Sequence, residues 1–196
     1  MTRRLLLGTR NPGKLAELRA LLKGLDLELQ SVMDLTDPPP DPSEDAPSYA
    51  ANAIFKARAY ARATGIPTIA DDSGLEVDAL GGAPGVRSRR FFGDDASADE
   101  RNRMLLGLLE GVSDRTARFV AVIAVAQPDG RVETFDGEIR GEIAEAPRGE
   151  DGFGYDPVFT IAEDGRTMAE VPRAEKNAIS HRGLAAAKLR AALADA

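Results

Sequence analysis

The stretch Arg4-Leu5-Leu6-Leu7-Gly8-Thr9-Arg10-Asn11-Pro12-Gly13-Lys14 sets the architecture. Arg4–Gly8 is a short apolar run of buried-strand type. Pro12 suits the first turn of a helix, where its missing N–H costs nothing. Leu15, Leu18, Leu21, Leu22 and Leu25 then recur at helical spacing. A strand therefore hands over to a helix through a tight loop. Leu27–Ser31 alternates like a second strand, and a second helix is expected over Ser48–Thr64, stopping at Gly65. Pro67–Ala70 reads as a strand running into a loop at Asp71-Asp72-Ser73-Gly74. Ser97-Ala98-Asp99-Glu100 is a capping box opening a helix with Met104, Leu105, Leu108 and Leu109 on its inner side. Ala117–Gln127 and Arg131–Phe135 flank Pro128-Asp129-Gly130 as a hairpin. Glu138–Ala144 is a further strand, and a last helix covers Gly183–Ala194. Helices alternate with strands early and hairpins come in the middle. That pattern predicts an α/β protein with a mixed sheet.

Composition narrows the function classes. The chain has 196 residues, enough for about one domain. With 43% hydrophobic and 29% charged residues it can bury a core and is not a disordered chain. It has no Cys and one His, which excludes a disulfide framework, a thiolate nucleophile and a multi-histidine metal site. The net charge of −7 argues against a nucleic acid polymer as partner. The start, Met1-Thr2-Arg3-Arg4-Leu5-Leu6-Leu7-Gly8, has too few apolar residues for a secretory core. The longest apolar run, Phe119 to Ala126, is too short to span a bilayer. The expectation is a cytoplasmic protein with no membrane partner.

Charge and proline are unevenly spread. Residues 1–24 are basic, with Glu17 the lone acid. Residues 34–47 carry Asp34, Asp37, Asp41, Glu44 and Asp45 together with Pro38, Pro39, Pro40, Pro42 and Pro47. Those prolines fix φ and remove donors, so the segment is an extended loop.

Five segments could carry chemistry. Gly8-Thr9-Arg10-Asn11-Pro12-Gly13-Lys14 places backbone N–H groups, a helix N-terminus and a lysine where a phosphate would sit. It matches G-x-x-x-x-G-K, but Leu15 stands where a P-loop needs a magnesium-binding hydroxyl; the bland alternative is an ordinary strand-to-helix turn. Asp71-Asp72-Ser73-Gly74 offers two carboxylates that an extended chain points to opposite sides, so one could hold Mg²⁺ or activate a water. Asp, Ser and Gly are equally a turn. Gly81–Phe91 carries Arg87, Arg89 and Arg90, either a phosphate clamp or a solvated basic face. Gly152-Phe153-Gly154-Tyr155-Asp156-Pro157 could stack an aromatic on a flat base, or simply pack two rings at a sheet rim. Lys176-Asn177-Ala178-Ile179-Ser180-His181-Arg182 could bind phosphate and a purine edge, although a lone His is more often an ordinary helix-end residue.

Taken together, these segments resemble one family, the inosine triphosphate pyrophosphatase or Ham1-like enzymes, the dITP/XTP pyrophosphatases. The matching motifs are Thr9-x-Asn11-x-x-Lys14, Glu44, Asn52-Ala53-x-x-Lys56-Ala57, Ala70-Asp71-Asp72-Ser73-Gly74-Leu75, Gly82-Ala83-Pro84-Gly85-Val86, Gly152–Pro157 and Ser180-His181-Arg182. They follow the family's order along almost the whole chain. The resemblance implies hydrolysis of ITP, dITP and XTP to the monophosphate and pyrophosphate, which cleanses the nucleotide pool of deaminated purines. It implies Mg²⁺ as cofactor and a homodimer. It also implies a single domain over residues 1–196, an elongated mixed sheet with helices in two lobes and the site in the cleft between them. By the same resemblance Asp72 is the general base and a metal ligand, with Glu44 the second ligand. Thr9, Arg10, Asn11, Pro12, Gly13 and Lys14 would hold the phosphates, with Lys56 assisting. Ser73 would touch the substrate. Phe153, Gly154, Tyr155, Asp156, Lys176, His181 and Arg182 would bind base and sugar. The departures are Arg10 in place of a small residue, Arg87 and Arg89 after Gly-Val, and Ala46 in place of a glycine after Glu44. The rival readings are a P-loop-like NTPase or kinase, which would release a diphosphate and phosphate, and a nucleotide-binding protein without turnover. A Maf-type pyrophosphatase with another base preference is a nearer variant.

Overall fold

The fold was described from a computed structural model covering residues 3–194. Met1, Thr2, Asp195 and Ala196, which the expected domain of residues 1–196 includes, lie outside the described residues. The chain divides into two compact units. The first gathers the chain up to Asp72, Ala121–Gly137 and the chain from Arg182; the second holds Ser73–Val120 and Glu138–His181.

In the first unit, β1 (Arg3–Leu7) buries Leu5, Leu6 and Leu7 and pairs in parallel with β2 (Leu27–Ser31), Arg3 opposite Leu27 and Leu7 opposite Ser31. A parallel pair needs a crossover, and α1 (Pro12–Leu21) supplies it. Its cap is local: Asn11 Oδ1 accepts from the N–H groups of Gly13 at 2.9 Å and Lys14 at 3.1 Å. A second crossover, α2 (Tyr49–Thr64), starts at Ser48, whose hydroxyl accepts from Ala51 N–H, and ends at Gly65 in the left-handed region with φ +69°. It delivers β3 (Thr68–Val77), parallel to β1, with Leu6 opposite Thr68. Gly8, just beyond β1, makes this approach possible, since a Cβ there would lie 2.8 Å from Tyr60 Cδ2 and 3.0 Å from Thr68 Cγ2. Leu5, Leu7, Leu18, Leu22 and Ile69 pack with Ile123, Val125 and Leu189 as this unit's core.

The strands hydrogen-bond in the order β2-β1-β3-β4-β5-β6, a mixed sheet with five helices among the described residues. β4 (Thr116–Ala126) and β5 (Val132–Ile143) are joined by the turn at Pro128-Asp129-Gly130, and β6 (Phe159–Ile161) pairs antiparallel with β5. The second unit packs Leu75, Val77, Phe119, Ile143, Phe159 and Met168 with Leu105 and Leu109 of α3 (Ala98–Leu108) and its C-cap. Ser97 and Glu100 close the expected capping box. The chain ends in α4 (Arg173–Ile179) and α5 (His181–Ala194). No helix of the described residues is long and apolar enough to cross a membrane.

Four local expectations are corrected. Asp71-Asp72-Ser73-Gly74 is not a loop; β3 runs straight through it, because residues with turn preferences are here buried and paired in the sheet. Arg131–Phe135 and Glu138–Ala144 are one strand, β5, which passes through Asp136 and Gly137. Met104 and Leu108 are about half exposed, while Leu105 and Leu109 are buried. The short elements β6 and α4 were not anticipated: β6 has three residues and α4 has no side-chain cap, so neither carries a periodic signal.

Candidate active site

The first unit holds a cluster of charged side chains taken from distant parts of the chain. Asp71, fully buried on β3, pairs with Lys14 of α1 at 3.2 Å and with Arg182 of α5 at 3.0 Å. Arg182, 1% exposed, also binds Glu17 of α1 at 2.6 Å. Its neighbour Asp72 points the other way, as pleating requires, and accepts a hydrogen bond from Asn52 Nδ2 at 2.9 Å. The Asn52 Oδ1 accepts the N–H of Ala46 at 2.9 Å. Lys56, one turn further along α2, is paired with Glu44 of the acidic proline loop.

That loop is tied to the unit at further points. Arg10 donates to the carbonyl of Pro39 at 2.6 Å, and the Tyr60 hydroxyl donates to Asp41 at 2.6 Å. Prolines therefore keep the segment extended while side chains of the β1–α1 loop and α2 hold it in place.

The electrostatics separate the two aspartates. Burial acts to raise Asp71, but Lys14, Arg182 and Lys56 outweigh it and hold the carboxyl well below the usual carboxylate range. Burial pushes Asp72 up, opposed by Lys14 and the Asn52 hydrogen bond and reinforced by the like charge of Glu44. Burial lowers Lys14 despite Asp71, whereas Asp71 and Glu44 outweigh burial at Lys56 and hold its ammonium above the ordinary value. Glu17, Glu44, Asp71 and Asp72 thus share their surroundings with Lys14, Lys56 and Arg182.

The loop between β1 and α1 is bonded largely within itself. Thr9 is buried, and its hydroxyl accepts the N–H of Asn11 at 3.2 Å. Gly13 and Lys14 give their N–H groups to Asn11, and Leu15 gives its own to the Asn11 carbonyl. Pro12 has none to give. The amides of Asn11, Gly13, Lys14 and Leu15 are therefore engaged within the turn, and the Lys14 side chain turns to Asp71.

The second unit holds the other group. Asp156 accepts from the Phe153 N–H at 2.7 Å and from Lys176 Nζ at 2.5 Å, folding residues 152–156 around one carboxylate. Gly152 has φ +82°, and a Cβ there would strike Asp156 Oδ2, so glycine is required. The Lys176 ammonium also sits 5.1 Å from the centre of the half-buried Phe153 ring. Asn102 of α3 donates to the Gly154 carbonyl at 3.1 Å. His181 stacks on Phe119 with ring centres 4.8 Å apart. Ser73, the first residue of this unit, is half-buried on β3.

Two of the residues expected at the base have protein partners of their own. Tyr155 is 5% exposed; its ring lies in the second unit's core and its hydroxyl donates to the Ser88 carbonyl at 2.8 Å, so it offers no face for stacking. Arg182 belongs to the first unit, between Asp71 and Glu17. Sequence reasoning assigned no role to Asn52, Glu17 or Asn102; Asn52 was visible only as a motif residue. Arg87 and Arg89 are exposed around the buried Ser88, whose hydroxyl accepts from the Leu75 N–H at 2.8 Å.

The model of the Ham1 family matches residues 5–192. A dITP/XTP pyrophosphatase of Geobacter sulfurreducens is 50% identical over 189 residues, covering 95% of this chain and 94% of its own. A HAM1 protein from Coxiella burnetii superposes with a TM-score of 0.90 at 42% identity, covering 99% of this chain and 100% of that one. The Staphylococcus aureus Ham1 protein superposes at 0.88 with 37% identity, covering 98% and 99%.

Proposed function

The chain belongs to the Ham1 family, and from that premise we propose that it hydrolyses ITP, dITP and XTP to the monophosphate and pyrophosphate. The reading includes Mg²⁺ as cofactor, a homodimer and a cytoplasmic setting, in which it clears deaminated purine nucleotides. The observation that carries it is the buried cluster of the first unit, where Lys14 and Lys56 stand beside Asp71, Asp72 and Glu44. The names of the relatives supply the substrate class.

The reaction adds water to the α-phosphorus and breaks its bond to the oxygen bridging to the β-phosphorus. Pyrophosphate leaves with that oxygen, and the proton of the water is taken up by a base. Phosphoryl transfer needs little covalent help; it needs charge neutralisation and an oriented water. Lys14 and Lys56 offset the triphosphate charge. Asp72 orients the water and accepts its proton. Glu44 and Asp72 present hard oxygen donors only. That fits Mg²⁺, which takes one or two protein carboxylates and fills its remaining positions with water and phosphate. When bound there, Mg²⁺ neutralises charge on the triphosphate. In the second unit, Phe153 supplies the accessible ring for stacking on the base. His181, stacked on Phe119, supplies a donor for the 6-oxo group that distinguishes deaminated purines from adenine. Lys176 and Asp156 hold the Phe153 loop in shape. Ser73 contacts the substrate, while Arg182 acts through Asp71.

The P-loop alternative is the weaker reading, because Leu15 has no hydroxyl for a metal and Asn11 already engages the Gly13 and Lys14 amides. The test is chromatographic. The purified chain is incubated with ITP, XTP, GTP and ATP, with Mg²⁺ or with EDTA. IMP and XMP with pyrophosphate, formed only with metal and far faster than GMP or AMP, are expected. IDP and phosphate would revive the P-loop alternative, and no product from any nucleotide would leave a binding protein.

A further inference from the structure

We propose that Asn52 is a positioning residue that sets Glu44 and Asp72 relative to one another, one side-chain amide holding both from its two ends. The proposal rests on the reading that these two carboxylates hold the metal. Asn52 lies in the first turn of α2 and is 1% exposed. Its Oδ1 accepts the Ala46 N–H, two residues beyond Glu44, and its Nδ2 donates to Asp72 Oδ2, each at 2.9 Å.

The amide's orientation follows from its partners. A backbone N–H can only donate, so the amide oxygen faces Ala46. The NH₂ group therefore faces Asp72, whose carboxylate can only accept. No other uncharged side chain of this length presents a donor and an acceptor on one rigid plane. Aspartate keeps the acceptor and loses the donor; leucine loses both. Helix propensity does not explain the residue either, since Asn is a poorer helix former than Ala. One turn on, Lys56 projects from the same face of α2 and binds the Glu44 carboxylate itself. Asn52 thus fixes the backbone beside Glu44 while Lys56 fixes its charge, and Asn52 alone of the two donates a hydrogen bond to Asp72. A loop held by prolines is stiff but not placed; Asn52 gives it a register against β3.

Ligand-orienting residues of this kind typically change metal affinity by about 10–100-fold when removed. The test uses Mn²⁺ as a paramagnetic stand-in for Mg²⁺, with free Mn²⁺ followed by electron paramagnetic resonance in the absence of nucleotide. The dissociation constant is measured for the wild type, Asn52→Ala, Asn52→Asp, Glu44→Gln and Asp72→Asn. Asn52→Asp buries a further carboxylate, so Asn52→Ala, which adds no charge, is read beside it. Both Asn52 variants are expected to weaken Mn²⁺ by roughly 10–100-fold and to raise the Mg²⁺ concentration for half-maximal ITP hydrolysis by a similar factor. At saturating Mg²⁺ the KM for ITP is expected to stay within about threefold of wild type, because the phosphate and base contacts are untouched. A lower melting temperature with unchanged Mn²⁺ affinity would reduce Asn52 to a packing residue and overturn the proposal. If Glu44→Gln and Asp72→Asn bind Mn²⁺ as the wild type does, or the wild type binds none, it is the metal assignment that fails, and the proposal with it.

Discussion

Asp71 and Asp72 are neighbours in one strand and meet different partners because a strand sends alternate side chains to opposite faces. Asp71 meets Lys14 and Arg182 and is a fixed anion; Asp72 meets Asn52 and shares its field with Glu44. Asp72→Asn is therefore expected, at saturating Mg²⁺, to cut kcat for ITP by about 10²–10⁴-fold, the usual contribution of a general base, with ITP affinity largely retained. Equilibrium binding beside single-turnover kinetics checks it, and an unchanged kcat removes Asp72 from that role. Arg182→Ala leaves the buried Asp71 and Glu17 without their shared cation and is expected to cost about 3–5 kcal/mol of stability. Urea denaturation reads it directly. A stable variant that has lost only its preference for ITP over ATP would return Arg182 to the base. At this scale the residue types of the candidate site are legible in the sequence, but not their partners. Tyr155 shows why: an aromatic beside glycine reads the same whether it faces a ligand or a core.

The elements that could be read were those whose ends are satisfied locally. Ser48 and Gly65 bracket α2, and Ser97 with Glu100 opens α3, because a cap is a bond between residues two or three apart. The same logic governs α1, with an unexpected consequence. Asn11 engages the Gly13 and Lys14 amides, two of those that the G-x-x-x-x-G-K spacing marks for phosphate. Asn11→Ala is expected to destabilise the protein by about 1 kcal/mol, the typical cost of a lost cap, while the KM for ITP changes less than about threefold. A large rise in KM at unchanged melting temperature would mean that Asn11 serves the substrate instead. The elements that escaped the sequence are those where neighbours across the sheet overrule local preference. Asp71–Gly74 and Asp136-Gly137 have turn chemistry, yet both lie inside strands, since backbone groups held by adjacent strands gain more than an isolated turn would offer.

Across the whole molecule, Tyr60 in the first unit and Tyr155 in the second have ionisations linked to stability. Burial, assisted by hydrogen bonding to Asp41, pushes the Tyr60 phenol up to about 12; burial alone pushes Tyr155 up to about 12. An ordinary tyrosine ionises near ~10. The folded state therefore binds these protons more tightly than the unfolded chain, and their contribution is complete below about pH 10 and lost as pH rises towards 12. Tyr60→Phe and Tyr155→Phe are each expected to flatten that alkaline limb in melting curves taken from pH 8 to pH 12; a limb of wild-type steepness would locate it in other groups. The net charge of −7 is no obstacle to a polyanionic substrate, because the cations of the first unit are gathered rather than spread. By itself the sequence determined the alternating strands and helices, the helix caps, the stiff acidic loop and the motifs that mark the family. Each is written in residues close together, and the hydrogen bonds that enforce them close within a few positions. Only the tertiary structure decided which aspartate meets which partner, that Arg182 is spent on carboxylates, and that one asparagine joins the Glu44 loop to β3. Those contacts span long stretches of chain, 111 residues from Asp71 to Arg182 and 165 from Glu17 to Arg182. A buried charge takes whatever partner the packed fold brings within reach, and no local pattern records which one that is.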